Sequence, residues 1–183
     1  VNEPPEVSLA PFTPEWLGEI EVWFDHPEVR RRLGDRSWPA RELRLLDERP
    51  GGEFRGRRVL RAHAWVVLDD QSRPVGHVGG DVYDCWTRYD EDGSEGPGVL
   101  ATDARRSMGL AYVIDPDRWR RGFGKTALRA VMEAPEVSDV SLFVAGIDAD
   151  NFASQRCALA AGFSPESDEP DWEGMIHYRC SRP

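Results

Sequence analysis

Apolar and polar positions alternate along several runs of the chain and fall at helical spacing along others. Residues 6–12, EVSLAPF, alternate and predict a first strand. In TPEWLGEIEVWFDH, Thr13 can cap and Pro14 suits a first helical position. Trp16, Leu17, Ile20 and Phe24 then fall near one helical face. Short helices are predicted over 27–35 and 39–49, the second ended by Pro50-Gly51-Gly52. Residues 59–70 and 74–86 read as a strand and its return, joined by the polar turn DDQSR. Residues 87–107 are rich in Asp, Glu, Gly and Ser and predict a long loop or a partly ordered insertion. Residues 108–115 and 139–147 predict strands, each followed by a helix, over 124–133 and 150–163. The first helix sets Leu128, Val131 and Met132 on one side; the second begins at an Asp/Asn cap signal and ends at Gly162. A last strand spans 172–181. No internal repeat interrupts the series, which predicts an α/β fold around one sheet, a single domain over 1–183.

The chain of 183 residues is long enough to bury a core without staples, and 40% hydrophobic with 31% charged residues is a globular composition. The net charge of −10 argues against nucleic acid or an anionic membrane as partner. It suits a cationic substrate, and equally suits a protein that is simply acidic. Cys85, Cys157 and Cys180 are odd in number and form no CxxC pair, and the four histidines show no HxxxH spacing. Neither a disulfide framework nor a zinc site is expected. No run reaches the length of a membrane span, and VNEPPEVSLAPF lacks a basic region followed by an apolar one. A soluble protein of the reducing cytoplasm is the expectation.

The change in pattern at YVIDPDRWRRGFGKTALRAVM, 112–132, carries chemistry. A strand ends at Pro116, an Arg- and Gly-rich corner follows, and a helix begins. The first N–H groups of a helix lack partners and carry partial positive charge, so a phosphate can satisfy both conditions. Glycine lets the backbone approach the ligand. Arg120, Arg121 and Lys125 add charge to this corner of an acidic chain. The spacing is neither GxGxxG nor GxxxxGK[ST], which excludes a dinucleotide fingerprint and a P-loop. Taken alone, the corner fits a phosphate cradle or a solvated basic turn.

A strand and a turn downstream lies NFASQRCALAAGF. Together with the corner it resembles the GNAT superfamily of N-acetyltransferases. The match runs through Val113, Asp115-Pro116 and WRRGFG, then Asn151, Ser154, Gly162 and Phe163, and PVGHVGG is similar to the family's third strand. Trp119 stands where the family usually has Arg or Gln, and Arg120 where Gly is frequent. These variants resemble the branch of ribosomal-protein and aminoglycoside acetyltransferases. The resemblance implies a mixed, mostly antiparallel sheet of about 6–7 strands splayed into a V, flanked by about 4–5 helices.

It also implies acetyl-coenzyme A as cofactor. The diphosphate would rest on the N–H groups of Arg120, Arg121, Gly122, Phe123, Gly124 and Lys125. The pantetheine would run along Tyr112, Val113 and Ile114, with Asn151 and Ser154 reaching it from the second helix. Asn151 fits a helix cap equally, and Ser154 a plain helix surface. The reaction would be direct attack of an amine on the thioester, with N–H groups near Val113 and Ile114 as donors to the oxyanion. The family's tyrosine acid is replaced by Ala158, next to Cys157, which reads as a core residue; Ser154 or a water would serve as acid. No carboxylate stands on strand 108–115. Asp81 is the leading candidate base, with Asp84 and Glu173 behind it, and His77 and His177 read as structural mid-strand residues. Trp23, Phe24 and Trp38 can wall an acceptor pocket, and Asp25, Asp35, Asp90, Glu91 and Asp92 can hold cationic amines.

The leading expectation is transfer to a primary amine of a cationic small molecule such as an aminoglycoside. A protein N-terminus, a polyamine, or a coenzyme A-binding module without catalysis are the alternatives. A homodimer is compatible with the resemblance.

Overall fold

The computed structural model describes residues 3–182. Strand β1 (Ser8–Pro11) is shorter than the alternation predicts. The segment expected as one helix after Thr13 folds as three short pieces, a 3-10 turn at Pro14–Trp16, α1 (Leu17–Ile20) and a second 3-10 turn at Glu21–Asp25. Ile20, Trp23 and Phe24 are nevertheless buried together. Spacings of three and one bury these three large side chains better on tight 3-10 turns than on an even 3.6-residue spiral. Helices α2 (Pro27–Leu33) and α3 (Trp38–Glu48) follow, each with proline in its first turn.

The strands are β2 (Glu53–Phe54), β3 (Arg57–Leu68), β4 (Pro74–Tyr83), β5 (Trp86–Asp90), β6 (Gly98–Asp103) and β7 (Ser107–Ile114). Helix α4 (Phe123–Glu133), β8 (Leu142–Asp148), α5 (Phe152–Ala161), β9 (Ser164–Pro165) and β10 (Met175–Ser181) complete the chain. One sheet runs β1-β3-β4-β7-β8-β10-β9, with β2 paired to β3. Its pairs are antiparallel except β7 with β8.

The stretch expected as a loop over 87–107 is corrected here. Trp86–Asp90 and Gly98–Asp103 pair as an antiparallel hairpin of their own. Thr87 Oγ1 donates to the Arg55 carbonyl at 2.7 Å, and Ser107 Oγ to the Cys85 carbonyl at 2.7 Å, tying the base of the hairpin to the main sheet.

Two cores sandwich the sheet. On one face α4 and α5 pack through Phe123, Ala127, Leu128, Val131, Ala158 and Ala161. The α4 positions recur at helical spacing, which is why a corner so polar can start a buried helix. On the other face α1, the second 3-10 turn, α2 and α3 cover Val66 and Val113 with Ile20, Phe24, Val29 and Trp38. At Gly80 a Cβ would meet the Gly109 carbonyl oxygen at 1.8 Å, so β4 and β7 approach closely there only because the residue is glycine.

His77, in the middle of β4, is the most deeply buried titratable side chain facing α3, packed on Phe12 at 4.5 Å and Trp38 at 5.8 Å. Burial pushes its pKa down to about 4 from 6.5. Between those values the unfolded chain binds a proton that the folded chain refuses, so stability falls as pH drops from 6.5 toward 4, by up to roughly 3 kcal/mol. Urea unfolding across this range should give a shallower slope for His77→Gln than for the parent. Equal slopes would contradict this account of the buried imidazole.

Candidate active site

The site begins where two strands stop pairing. β7 and β8 run parallel through Ser107–Leu142, Met108–Phe143 and Gly109–Val144, and no further. From Leu110 to Ile114 on one side and from Ala145 to Asp148 on the other the strands diverge. Each stays paired on its outer edge, to β4 and to β10. The inner edges are left open, and a buried open edge needs hydrogen-bonding partners from elsewhere. The Asp115 N–H donates to the Val75 carbonyl on β4 at 3.0 Å. Alternation along the regular ladder therefore turns Val113's backbone groups to β4 as well, and those of Tyr112 and Ile114 into the V. Val113 is thus set apart from its two neighbours, and its side chain lies in the α1–α3 core.

At the mouth of the V, β7 ends in the Arg- and Gly-rich corner. Asp115 caps a short turn at Pro116–Arg118, and Trp119 Nε1 donates to the Ile114 carbonyl at 2.8 Å, fixing the loop to the strand end. Arg120 and Gly122 both have left-handed backbones, φ 62° and 89°. The first N–H of α4 with a backbone partner is that of Thr126, which donates to the Gly122 carbonyl at 3.2 Å. Among the described residues, the N–H groups from Arg120 to Lys125 have no hydrogen-bond acceptor. Alternating left- and right-handed residues before a helix turn such N–H groups toward one point, a cradle for anions. A diphosphate fits this donor set, with Arg120 and Arg121 exposed beside it.

Helices α4 and α5 converge under the V. A Cβ on Gly124 would meet Cys157 Sγ at 2.7 Å, so the two helices touch where glycine leaves room. Tyr112 extends from β7 to α5, its hydroxyl donating to the Ser154 carbonyl at 3.4 Å. Burial raises its pKa, with the neighbouring Cys157 adding to the effect, and keeps the phenol protonated. Cys157 is itself pushed up by burial and packs against the core, as its sequence position suggests. Asn151 Oδ1 accepts from the Ser154 N–H at 3.2 Å and so caps α5.

Across the sheet, under α3, a cavity of about 360 Å³ reaches the vertex of the V at Gly109, Val144 and Gly146. Asp81 and His77 line it from β4, Trp38, Glu42 and Arg49 from α3, and His177 from β10. Asp81 is held by Arg49 at 3.4 Å and by the Tyr83 hydroxyl at 3.4 Å, while Arg49 also pairs with Glu42 at 2.8 Å. Burial, reinforced by Asp81, raises the Tyr83 pKa to about 12.

The sequence reads His177 as structural, yet it faces the cavity. Its Nε2 is 2.8 Å from Asp171 Oδ2, and its Nδ1 is buried without a partner. Burial works against the charge of Asp171, but the Met175 N–H, His177 and the Glu173 N–H outweigh it and lower its pKa. An ionised Asp171 accepts the proton of Nε2 and leaves the Nδ1 lone pair free. The sequence signal for this pair is an Asp six residues before a mid-strand His, across the WEG turn.

The other candidates lie elsewhere. Asp84 caps the Arg58 N–H at 2.9 Å, and Glu173 pairs with Arg55 at 2.8 Å. Trp23 and Phe24 belong to the core, and of the three predicted wall aromatics Trp38 lines the cavity. Asp25 pairs with Arg36, and Asp35 accepts from the Ser37 N–H and hydroxyl. Asp90 lines a second cavity of about 370 Å³ between the β5–β6 hairpin and the loop before β10. Glu91 and Asp92 lie in the hairpin's turn. Among the described residues no cluster of His, Cys, Asp and Glu is arranged to hold a metal ion, and no helix is long and apolar enough to cross a membrane.

Comparison with known proteins agrees with this geometry. The family model described as an acetyltransferase (GNAT) domain matches residues 6–164. The uncharacterized N-acetyltransferase YfmK of Bacillus subtilis (strain 168) is 30% identical over 158 residues, covering 86% of this chain and 84% of that one. The fold is shared with aminoglycoside acetyltransferase AAC(6')-Ib in complex with coenzyme A, at 17% identity and TM-score 0.69, covering 97% of this chain and 95% of that one. An acetyltransferase from Thermus thermophilus has the same fold at 18% identity and TM-score 0.64, with 96% and 97% covered. The splayed sheet, the free N–H corner and the matched sequence together place the chain in the GNAT family of acetyltransferases, whose acyl donor is acetyl-coenzyme A.

Proposed function

We propose that the protein transfers an acetyl group from acetyl-coenzyme A directly to the primary amine of a small molecule, within one acetyltransferase domain. The observation that carries this reading is the V itself. It joins a corner of unpartnered N–H groups on one side to a cavity lined by Asp81 and His177 on the other, with the His177 Nδ1 buried and unpartnered at its wall.

Acetyl-coenzyme A supplies an activated acetyl thioester when bound. The N–H groups of Arg120 to Lys125 hold its diphosphate, and Arg120, Arg121 and Lys125 add charge attraction. Tyr112 and Ile114 offer strand-like hydrogen bonds along the open edge of β7, and the Ile114 N–H also suits a developing negative charge on the carbonyl oxygen. Asn151 caps the first turn of α5, which carries Ser154 beside Tyr112. Ser154 and the Tyr112 phenol are the protic groups on that flank for the departing sulfur.

In the cavity Asp81 and His177 face the amine from opposite arms of the V. Both oxygens of Asp81 are already engaged at 3.4 Å, which suits it to hold an arriving ammonium. His177 has its Nδ1 free and its Nε2 held by Asp171, which suits it to take the proton. An aminoglycoside is a second acceptor class. It is favoured by structural neighbours with that activity and by Asp90, Glu166, Glu169 and Asp171 around the second cavity.

Calorimetric titration with acetyl-coenzyme A should give micromolar binding in the parent. Gly122→Asn should keep most of it and Gly122→Asp should lose at least about tenfold, or about 1.4 kcal/mol. Both variants impose the same side-chain bulk on a left-handed backbone, so the difference isolates the charge. Equal affinities for the two variants would remove the diphosphate from this corner.

Thiol-release kinetics with an accepted amine should show His177→Gln lowering kcat by about 10²-fold with the affinity for acetyl-coenzyme A unchanged. Asp81→Asn should chiefly raise KM for the amine. A full kcat in His177→Gln would exclude the imidazole as base.

A further inference from the structure

The wall between the two cavities holds a cation that no carboxylate of the described residues answers. Arg57 opens β3 and is only 6% exposed. Its guanidinium lies over the ring of Trp86, 3.7 Å from the centroid, with Tyr83 at 4.6 Å and Phe54 at 5.3 Å. Nη1 donates to the Thr87 carbonyl at 3.3 Å, while Nε is buried with no partner.

Of the other arginines that line the two cavities, Arg88 is exposed on the hairpin and the buried or half-buried ones are paired. Arg32 meets Asp148 at 2.7 Å and also Asp150, Arg49 meets Glu42 and Asp81, and Arg55 meets Glu173. Burial pulls the Arg57 pKa down, opposed by Tyr83 and assisted to a lesser degree by Arg55. The starting value of a guanidinium is so high that the group stays charged. Stacking on aromatic faces offsets part of the cost of burying it, and the Thr87 carbonyl takes one donor, but Nε is left without an acceptor.

Arg57, Trp86 and His177 line both cavities. The ring of Trp86 is 3.7 Å from the Arg57 guanidinium and 6.2 Å from the His177 ring. Guanidinium and imidazole are therefore within about 10 Å of each other, the reach of a small amino acid with a hydrogen bond at either end. The donors of a guanidinium form a planar fork that matches a carboxylate, and its charge repels a polycation; on Arg57 the Nε donor has no acceptor.

We propose that Arg57 anchors a carboxylate of the acceptor, so that the enzyme's substrate is an amine that also bears an acid group, of the amino-acid class. The inference rests on the acetyltransferase reading of the cleft and narrows its substrate. The carboxylate sits at Arg57 beside Trp86, and the amine lies toward Asp81 and His177 at the vertex of the V. In the second cavity Arg55 is taken by Glu173 and Arg88 is exposed, so among its cations Arg57 is the buried one without a carboxylate.

The test uses binding, so that it does not depend on turnover. The N-acetyl derivatives of glycine, phenylalanine, lysine and glutamate are titrated into the protein by tryptophan fluorescence, each beside its α-carboxamide, which removes only the α-carboxylate charge. The parent should bind the acid at least tenfold more tightly than the amide in one pair or more. Arg57→Gln should erase that preference, and Arg57→Lys, which keeps charge and loses the fork, should keep part of it. Because Arg57 also stacks the hairpin onto the sheet, Arg57→Lys carries the test if Arg57→Gln fails to fold. Amides that bind as well as acids in every pair, or a preference that survives in both variants, would overturn the anchor. A titration with acetyl-coenzyme A alongside separates the two claims: no coenzyme binding sinks the acetyltransferase reading, whatever Arg57 does with carboxylates.

Discussion

The rest of the molecule depends on the point where β7 and β8 cease to pair. Three parallel partner positions hold the strands together as far as Gly109 and Val144, and beyond them two open edges face one another. Closing that gap with protein would satisfy the edges and abolish the site. It is kept open by what lies on either side. β7 is held outward by the full length of β4, and β8 by β10. Below, Tyr112 and the Gly124–Cys157 contact fill the space between strand and helices. Above, Arg31 and Arg32 of α2 pair with Asp148 and Asp150 at the end of β8, fastening the helical face to the far arm. Arg32 is the partly buried member of that network. Exposed ion pairs contribute little each, so the contribution to holding the arms is concentrated there.

The two faces of the V divide the chemistry. The α4–α5 face presents backbone donors and a basic corner, suited to a polyanionic cofactor. The α3 face presents ionisable side chains in a cavity floored by glycines, suited to an acceptor and its proton. The acidic net charge of the chain does not describe this cavity, where arginines outnumber carboxylates on the walls. Net charge speaks for the long-range field, whereas a substrate at contact meets particular paired and unpaired groups.

The corner was legible in the sequence because its signal is local. Proline, glycines and basic residues within a few positions set the backbone and the charge together, and the cap and glycine of α5 repeat the same kind of signal. The segment after Thr13 was not, because tightly spaced aromatic and β-branched residues satisfy several helical pitches and only packing chooses among them. The β5–β6 hairpin was hidden by its acidic, glycine-rich turn, although Trp86–Tyr89 and Val99–Thr102 carry strand-forming residues on either side. Arg57 and His177 were illegible as site residues. Nothing next to Arg57 in the chain shows that Trp86 will cover it or that no carboxylate will reach it. Both facts come from pairings made far along the chain.

The central claim is that the open edges and the corner form one cofactor surface. Amide hydrogen exchange with and without acetyl-coenzyme A tests it most directly. The account predicts new protection at the amides of Arg120 to Lys125 and at Tyr112 and Ile114, with Val113 unchanged because its amide is already bonded to β4. Protection that appears elsewhere and leaves these amides as they were would contradict it.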